Sequence, residues 1–361
     1  MEVDSGPMIT IYRYLVLQVL IGLAIATAIL LPLFAFLDLL HQLDDVGKGT
    51  FQVKDAFFYT GLLLPRRFIQ LAPFIALLGN VIALGRLAVG SELIVMRAAG
   101  ISPLQISLAP LAVGLVLLLA DVLLDQFVAP QLQQKAISAR AVALEKSAAL
   151  GKGLGIWTRD ERNILRIGEM VHAARAADIE IMHFDENGFL KSFTHAKNAD
   201  FIGNDVWELS DVTTKTFTGN RIESVSTNSM KWKSFLSSDD ISTLNKTPES
   251  LSPIELFQHV RFLRSTGQEA DAYALVLWRK AGGALTAVAM LLLSIPFVFG
   301  SVRAGLANRL VLAAMLGMSV YLFDQIVANA GLLLRMNPAI VALVPGLMLI
   351  TLAVFWLRRM L

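Results

Sequence analysis

The residues best placed to do chemistry lie in one short polar stretch between apolar runs, Arg86-Leu-Ala-Val-Gly-Ser-Glu-Leu-Ile-Val-Met-Arg-Ala-Ala-Gly100. Its spacing predicts a short helix from Ser91 to Ala99, with Ser91 as cap, Glu92 in the first turn and Arg97 in the last. Both charges then complement the helix dipole. Gly100 suits a C-terminal stop ahead of Ser102-Pro103. Leu93, Met96 and Arg97 share one stripe at helical spacing, with Glu92 beside them. The chemistry implied is recognition, because a helix this short is not stable from its own propensity and needs something to hold it. Two holders fit at this stage: a partner protein, or the membrane face on which an amphipathic turn would rest.

Catalytic alternatives fail on spacing. A phosphate-binding loop needs Gly-x4-Gly-Lys-Ser/Thr so that backbone amides wrap phosphate oxygens, and neither Gly47-Lys48 nor Gly151-Lys152 has that frame. There is no His-Glu-x-x-His, and His41, His172, His183, His195 and His259 are scattered without ligand spacing, so no metal site is indicated. A Gly-x-Ser-x-Gly elbow is missing too. With 0 cysteines, disulfides, thiolate zinc sites and thiol catalysis are excluded together. No residue pattern calls for a cofactor.

The elements that must position this segment are set by composition. Of 361 residues, 55% are apolar and only 17% charged, too little charge to cover a soluble surface of this size. The chain is therefore read as lipid-facing, with membrane lipid as its solvent. A formal net charge of +2, with no basic groove interleaved with aromatics, argues against nucleic acid. A membrane helix needs about 20 apolar residues. Six runs meet that scale: Leu15 to Leu37, Phe58 to Leu84, Ile101 to Leu124, Ala281 to Val302, Leu310 to Leu334 and Met336 to Leu357. The first ends at Asp38 without a cleavage pattern and is read as a retained span.

Between the third and fourth spans the chain turns polar. Runs such as Ile164-Leu165-Arg166-Ile167, Ile179-Glu180-Ile181 and Asp205-Val206-Trp207-Glu208-Leu209 alternate, and Asn187-Gly188, Gly203-Asn204 and Gly219-Asn220 supply turns at hairpin spacing. An antiparallel β domain, jellyroll-like, is expected. Ser252-Pro253-Ile254-Glu255 then reads as a capped helix start running to about Ser265. The organisation expected is residues 1–144 with spans one to three and the short helix at about 86–100, residues 145–252 as the β domain, and residues 253–361 with a connecting helix and spans four to six. Basic residues in the 86–100 loop, with Arg303, Arg309, Arg358 and Arg359, fall on one face if both termini are cytoplasmic, which puts the β domain on the other side. The bias is modest, because Lys48, Lys54, Arg66, Arg67 and Arg335 lie opposite.

The run Gly79 to Gly100, above all Ser91-Glu92-Leu93-Ile94-Val95-Met96-Arg97-Ala98-Ala99-Gly100, resembles the coupling-helix region of the LptF/LptG permease family. The resemblance continues through Val128-Ala129-Pro130, Trp278 to Lys280, Ser294-Ile295-Pro296-Phe297-Val298-Phe299-Gly300 and Tyr321-Leu322-Phe323-Asp324-Gln325-Ile326. The Ser-Glu-Leu segment and the Asp324-Gln325 pair favour the LptG branch, with the sister LptF branch as the alternative. The resemblance implies a permease subunit of an ABC exporter in a Gram-negative inner membrane that extracts lipopolysaccharide. It implies pairing with LptF above a dimer of the ATPase LptB, which supplies hydrolysis, and delivery through a periplasmic β-jellyroll towards LptC for outer-membrane assembly. Arg86, Ser91, Glu92, Leu93, Met96 and Arg97 become the ATPase-docking set.

The lipid headgroup of that substrate is phosphorylated, and Arg66, Arg67, Lys135 and Arg140 are the basic residues placed to pair with it. Where family members carry another basic residue this chain has Ile137, so Arg140 is the firmer match. Arg66 and Arg67 fit headgroup anchoring equally well. Asp324, inside a span, should face the bundle or a partner subunit and fits helix packing better than substrate contact. Phe34 and Phe323 suit either an acyl-chain cavity or a lipid-facing surface. From a different class, a polytopic scaffold or sensor with an external β domain would also need spans and a soluble module, though not a charged short helix between spans two and three.

Overall fold

Long apolar runs leave the backbone no partner but itself in lipid, so the chain winds into helices wherever such runs occur. The structure, a computed structural model, describes residues 5–144, 156–160, 162–172, 175–203, 206–218, 221–234, 247–300 and 305–359. The expected boundary at Glu145, parts of the turns at Gly203-Asn204 and Gly219-Asn220, and Arg303 lie outside them. Two compact units emerge: Met1–Asp44 with Ala56–Ala136 and Ala274–Leu361, and Asp45–Asp55 with Ile137–Tyr273.

The first unit is built from α1 (Ser5–Leu43), α2 (Val53–Val89), α3 (Glu92–Ala98), α4 (Pro103–Leu123), a π-helical turn (Leu124–Val128) and the start of α5 (Ala129–Ala143). Among the described residues, six helical segments are long and apolar enough to cross a membrane: Ile9–Leu43, Val53–Val89, Gln105–Ala143, Asp271–Val298, Leu306–Leu333 and Pro338–Arg359. These match the six expected runs but are longer at several ends. The third continues past Leu124 because Gln131, Leu132, Gln133, Gln134, Lys135 and Ala136 are good helix formers that extend the winding beyond the apolar run.

Close packing inside this unit uses small residues. A Cβ on Gly79 would lie 2.7 Å from the Leu23 Cα, and one on Gly22 would strike the Gly79 carbonyl, so α1 and α2 meet backbone to backbone. Around that contact Val19, Leu23, Leu71, Ile75 and Val113 are buried together. Asn80 donates from Nδ2 to Ser294 Oγ at 2.5 Å and to the Leu291 carbonyl at 3.3 Å, a fully buried polar clasp between two spans. Ser102 and Gln105 form a reciprocal capping box that starts α4.

The second unit holds one antiparallel sheet: β1 (Ile156–Arg159), β2 (Asn163–His172), β3 (Arg175–Phe184), β4 (Leu190–Gly203), β5 (Val206–Thr218) and β6 (Arg221–Lys233). Alternation explains it. Trp207 and Leu209 point to a common core with Leu165, Ile167, Ile179 and Ile181, while Glu208 faces outward. Asp185 caps the first legible turn, accepting from the Asn187 and Phe189 amides at 2.9 Å each, and Gly188 takes the positive φ of 80° that the turn requires. The strands follow in sequence order, β1 to β6, as a meander. Among the described residues no Greek-key crossover occurs, so the antiparallel domain is as expected while a jellyroll order is not seen; short hairpins keep consecutive strands adjacent.

After β6, Ser252 and Glu255 cap each other at the start of α6 (Pro253–Ser265), matching the expected helix, and Phe262 packs on the sheet core. The remaining helices, α7 (Asp271–Gly300), α8 (Leu306–Leu333) and α9 (Pro338–Arg359), return to the first unit.

Candidate docking helix and intramembrane charge cluster

The helix expected at Ser91 to Ala99 forms as the seven-residue α3. Ser91 sits at its N-terminal boundary but does not cap it: its φ is 61° and its side chain makes no capping bond. The cause is the tight turn leaving α2, where the Gly90 amide bonds the Arg86 carbonyl at 2.9 Å and the Ser91 amide the Ala88 carbonyl at 3.1 Å. A cap needs an extended backbone, which that turn does not allow. Gly100, with φ 87°, ends the helix as expected.

Leu93 is 4% exposed and joins the main apolar cluster with Leu84, Leu87 and Ile106, and Met96 packs against it. Arg97 and Arg86 are exposed. The predicted stripe therefore divides, with Leu93 and Met96 turned inward and Arg97 outward. Ile94 and Val95, 56% and 66% exposed, lie on the opposite arc and were not singled out from sequence. The available signal was apolar residues on both sides of a helix too short to be buried all round. Glu92 is partly buried, and its Oε2 accepts from the Tyr14 hydroxyl of α1 at 2.8 Å.

A second constellation lies inside the helical unit. Asp125, in the π-helical turn, accepts at Oδ1 from Arg66 Nη1 of α2 at 3.1 Å and from Lys280 Nζ of α7 at 2.5 Å. Side-chain exposures of 15% for Arg66 and 8% for both Lys280 and Asp125 put all three out of bulk solvent. Asp121, one turn earlier, is also buried, so two carboxylates face two cations and the formal charge balances. Asp121 Oδ1 has no hydrogen-bond partner among the described residues. Only Arg66 of this group was among the expected site residues; its partners lie 59 and, through Asp125, 155 residues away in sequence.

The other basic candidates are also engaged or exposed. Arg67 clasps Asp38 of α1 through Nε and Nη2 and donates to Gln70 Oε1 at 2.8 Å. Arg140 pairs with Asp45, which also takes Lys48 Nζ at 2.7 Å. Those two contacts, Lys48 first and Arg140 next, hold the Asp45 carboxyl below the ordinary carboxylate range. Lys135 is exposed. Asp324 of α8 accepts from Arg279 Nη2 of α7 at 2.8 Å, and Gln325 accepts from the same nitrogen at 3.2 Å, so Asp324 serves helix packing. Phe34 packs on the α1–α2 cluster, whereas Phe323 is exposed. No group of three or more His, Cys, Asp or Glu is placed to hold a metal among the described residues. The arrangement binds and transmits; it has no set of groups for bond cleavage.

The model of the family described as lipopolysaccharide export system permease LptF/LptG matches residues 13–359. The chain is 30% identical over 350 residues to the lipopolysaccharide export system permease protein LptG of Haemophilus influenzae, covering 96% of this chain and 98% of the relative. It is 32% identical over 353 residues to the protein of the same name from Escherichia coli K12, covering 95% and 98%. With six membrane helices, the short polar helix between the second and third, and an antiparallel sheet inserted after the third, all inside the matched range, the chain belongs to the LptF/LptG family of lipopolysaccharide export permeases.

Proposed function

We propose that this chain is a permease subunit of a lipopolysaccharide exporter, on the LptG side of its family, and that α3 is the point where a partner ATPase docks. The observation that carries the docking reading is the outward face of α3, where Ile94 and Val95 are exposed beside Arg97 on a helix otherwise anchored through Leu93. Exposed apolar side chains ringed by charge mark a surface built to be covered by protein. The chain has no phosphate-binding loop, so the energy for export comes from a partner, taken to be the LptB dimer, with LptF as the sister permease and LptC as the periplasmic acceptor.

In this reading the protein lies in the inner membrane with both termini and α3 cytoplasmic and the sheet unit periplasmic. Support comes from Arg86, Arg97, Arg358 and Arg359, which share the α3 side by span count. Lipopolysaccharide would lie against α1 and α8, whose lipid-scale faces carry exposed Leu17, Leu20, Met315 and Ile326. Lys135 and Arg140 are the basic residues proposed to meet its phosphates; Arg66 and Arg67 reach them only by exchanging a carboxylate partner.

The test is ATP hydrolysis by the chain reconstituted in liposomes with LptB and LptF, with and without lipopolysaccharide, beside Glu92→Lys. Hydrolysis that responds to lipopolysaccharide and is lost in the variant is the expected result. Absence of any complex with wild-type protein overturns the reading.

A further inference from the structure

The polar contact between the first span and the proposed docking helix is one hydrogen bond, from the Tyr14 hydroxyl to Glu92 Oε2 at 2.8 Å, across 78 residues of sequence. Beside it Leu15 is buried in the same cluster as Leu87 and Leu93. From this pairing we infer that Tyr14 is a positioning residue that ties movement of α3 to α1, and so sets how much transport each ATP cycle yields. The inference rests on the docking role of α3 proposed above.

Three features of the chain argue for it. A carboxylate has about four lone-pair sites, so Glu92 can accept from Tyr14 and still meet a donor on a partner. Packing alone would be served by phenylalanine; the hydroxyl adds a directed bond to a charged acceptor, and such bonds are stronger than neutral ones. Finally, α1 is well placed to carry the displacement onward. Tyr12 bonds the Leu108 carbonyl of α4 at 3.0 Å, Gly22 meets Gly79 of α2 backbone to backbone, and Asp38 clasps Arg67 near the far end. From Tyr14 to Gly22 the helix rises about 12 Å without an internal proline, so a shift at Glu92 reaches the Gly22–Gly79 contact through an unbroken rod. Its outward side chains, including Leu17 and Leu20, would move with it.

Tyr14→Phe removes one oxygen and leaves the ring in place. The assembled complex with LptB and LptF, in liposomes, is compared with wild type for three quantities: ATPase retained on the tagged chain, ATP hydrolysed, and lipopolysaccharide passed to an acceptor protein added outside. The expected result is unchanged retention, hydrolysis largely preserved, and lipopolysaccharide per ATP reduced at least about fivefold, the lower end of ordinary coupling between sites. In parallel, 3-fluorotyrosine at position 14 should show a fluorine resonance that shifts when nucleotide is added to the complex. An unchanged transport-to-hydrolysis ratio, a resonance indifferent to nucleotide, or loss of the ATPase from Tyr14→Phe each overturns the inference. Failure of the wild-type chain to retain the ATPase instead removes the docking reading beneath it.

Discussion

Lys280 and Asp125 stand 2.5 Å apart, each with 8% of its side chain exposed, and Arg66 shares the same carboxylate oxygen. Breaking a buried pair from one side is costly because the remaining charge has no water to turn to. Asp125→Asn strands two cations and should lower stability by about 3–5 kcal/mol. Lys280→Met leaves Arg66 on Asp125 and should cost roughly 1–3 kcal/mol. Unfolding of the purified variants in mixed micelles measures both, and equal effects would show that Asp125 does not bridge them.

Where α1 crosses α2 the spacing leaves no room for a methyl group. Gly22→Ala and Gly79→Ala should each lower stability by about 1–3 kcal/mol through forced separation of the helices. Gly61, whose added Cβ meets nothing within 4 Å, is the control, and Gly61→Ala should be neutral or slightly stabilising. The same micelle titration decides it.

On α3, a charge placed on the outward face should separate docking from folding. Val95→Asp should reduce co-purified ATPase at least about tenfold, a loss of about 1.4 kcal/mol of binding, while membrane insertion and yield stay at wild-type levels. Undiminished ATPase capture would move the interface away from this face.

Acid should act on the sheet unit through Asp178. Its carboxyl lies below the ordinary carboxylate range, first because of the hydrogen bond with His195 at 2.9 Å and then because of the Arg166 guanidinium. A carboxyl depressed on folding adds stability above its unfolded pKa, and that stability is lost as the pH falls through the folded value. The sheet should therefore melt more easily below about pH 4. Asp178→Asn should remove part of that slope, read from tryptophan fluorescence of the full chain during thermal ramps.

Much of the architecture was legible because it is written locally. Spans announce themselves by run length, the sheet by alternation around Trp207 and turns such as Asn187-Gly188, and α6 by its Ser252–Glu255 box. What escaped was written between distant segments. Nothing near Arg66 in sequence announces Asp125 or Lys280, and nothing near Glu92 announces Tyr14. Ser91 misled for a different reason: its residue type suits a cap, but the turn before it sets a left-handed backbone. The outward face of α3 was hidden because helical spacing identifies a stripe without saying which side of the helix the core will claim.

The π-helical turn at Leu124–Val128 holds one residue more than an α-helix would use over the same path. Such a turn behaves as a reading-frame shift in three dimensions. Removing Gln126 would let the helix close normally and would rotate everything that follows by about 100°. Ala129, Pro130 and Ala136 would turn off their buried faces, and Lys135 would face a different direction. A deletion of a single amide side chain, far from any substrate, would thus redirect the basic residues of α5 while altering none of them.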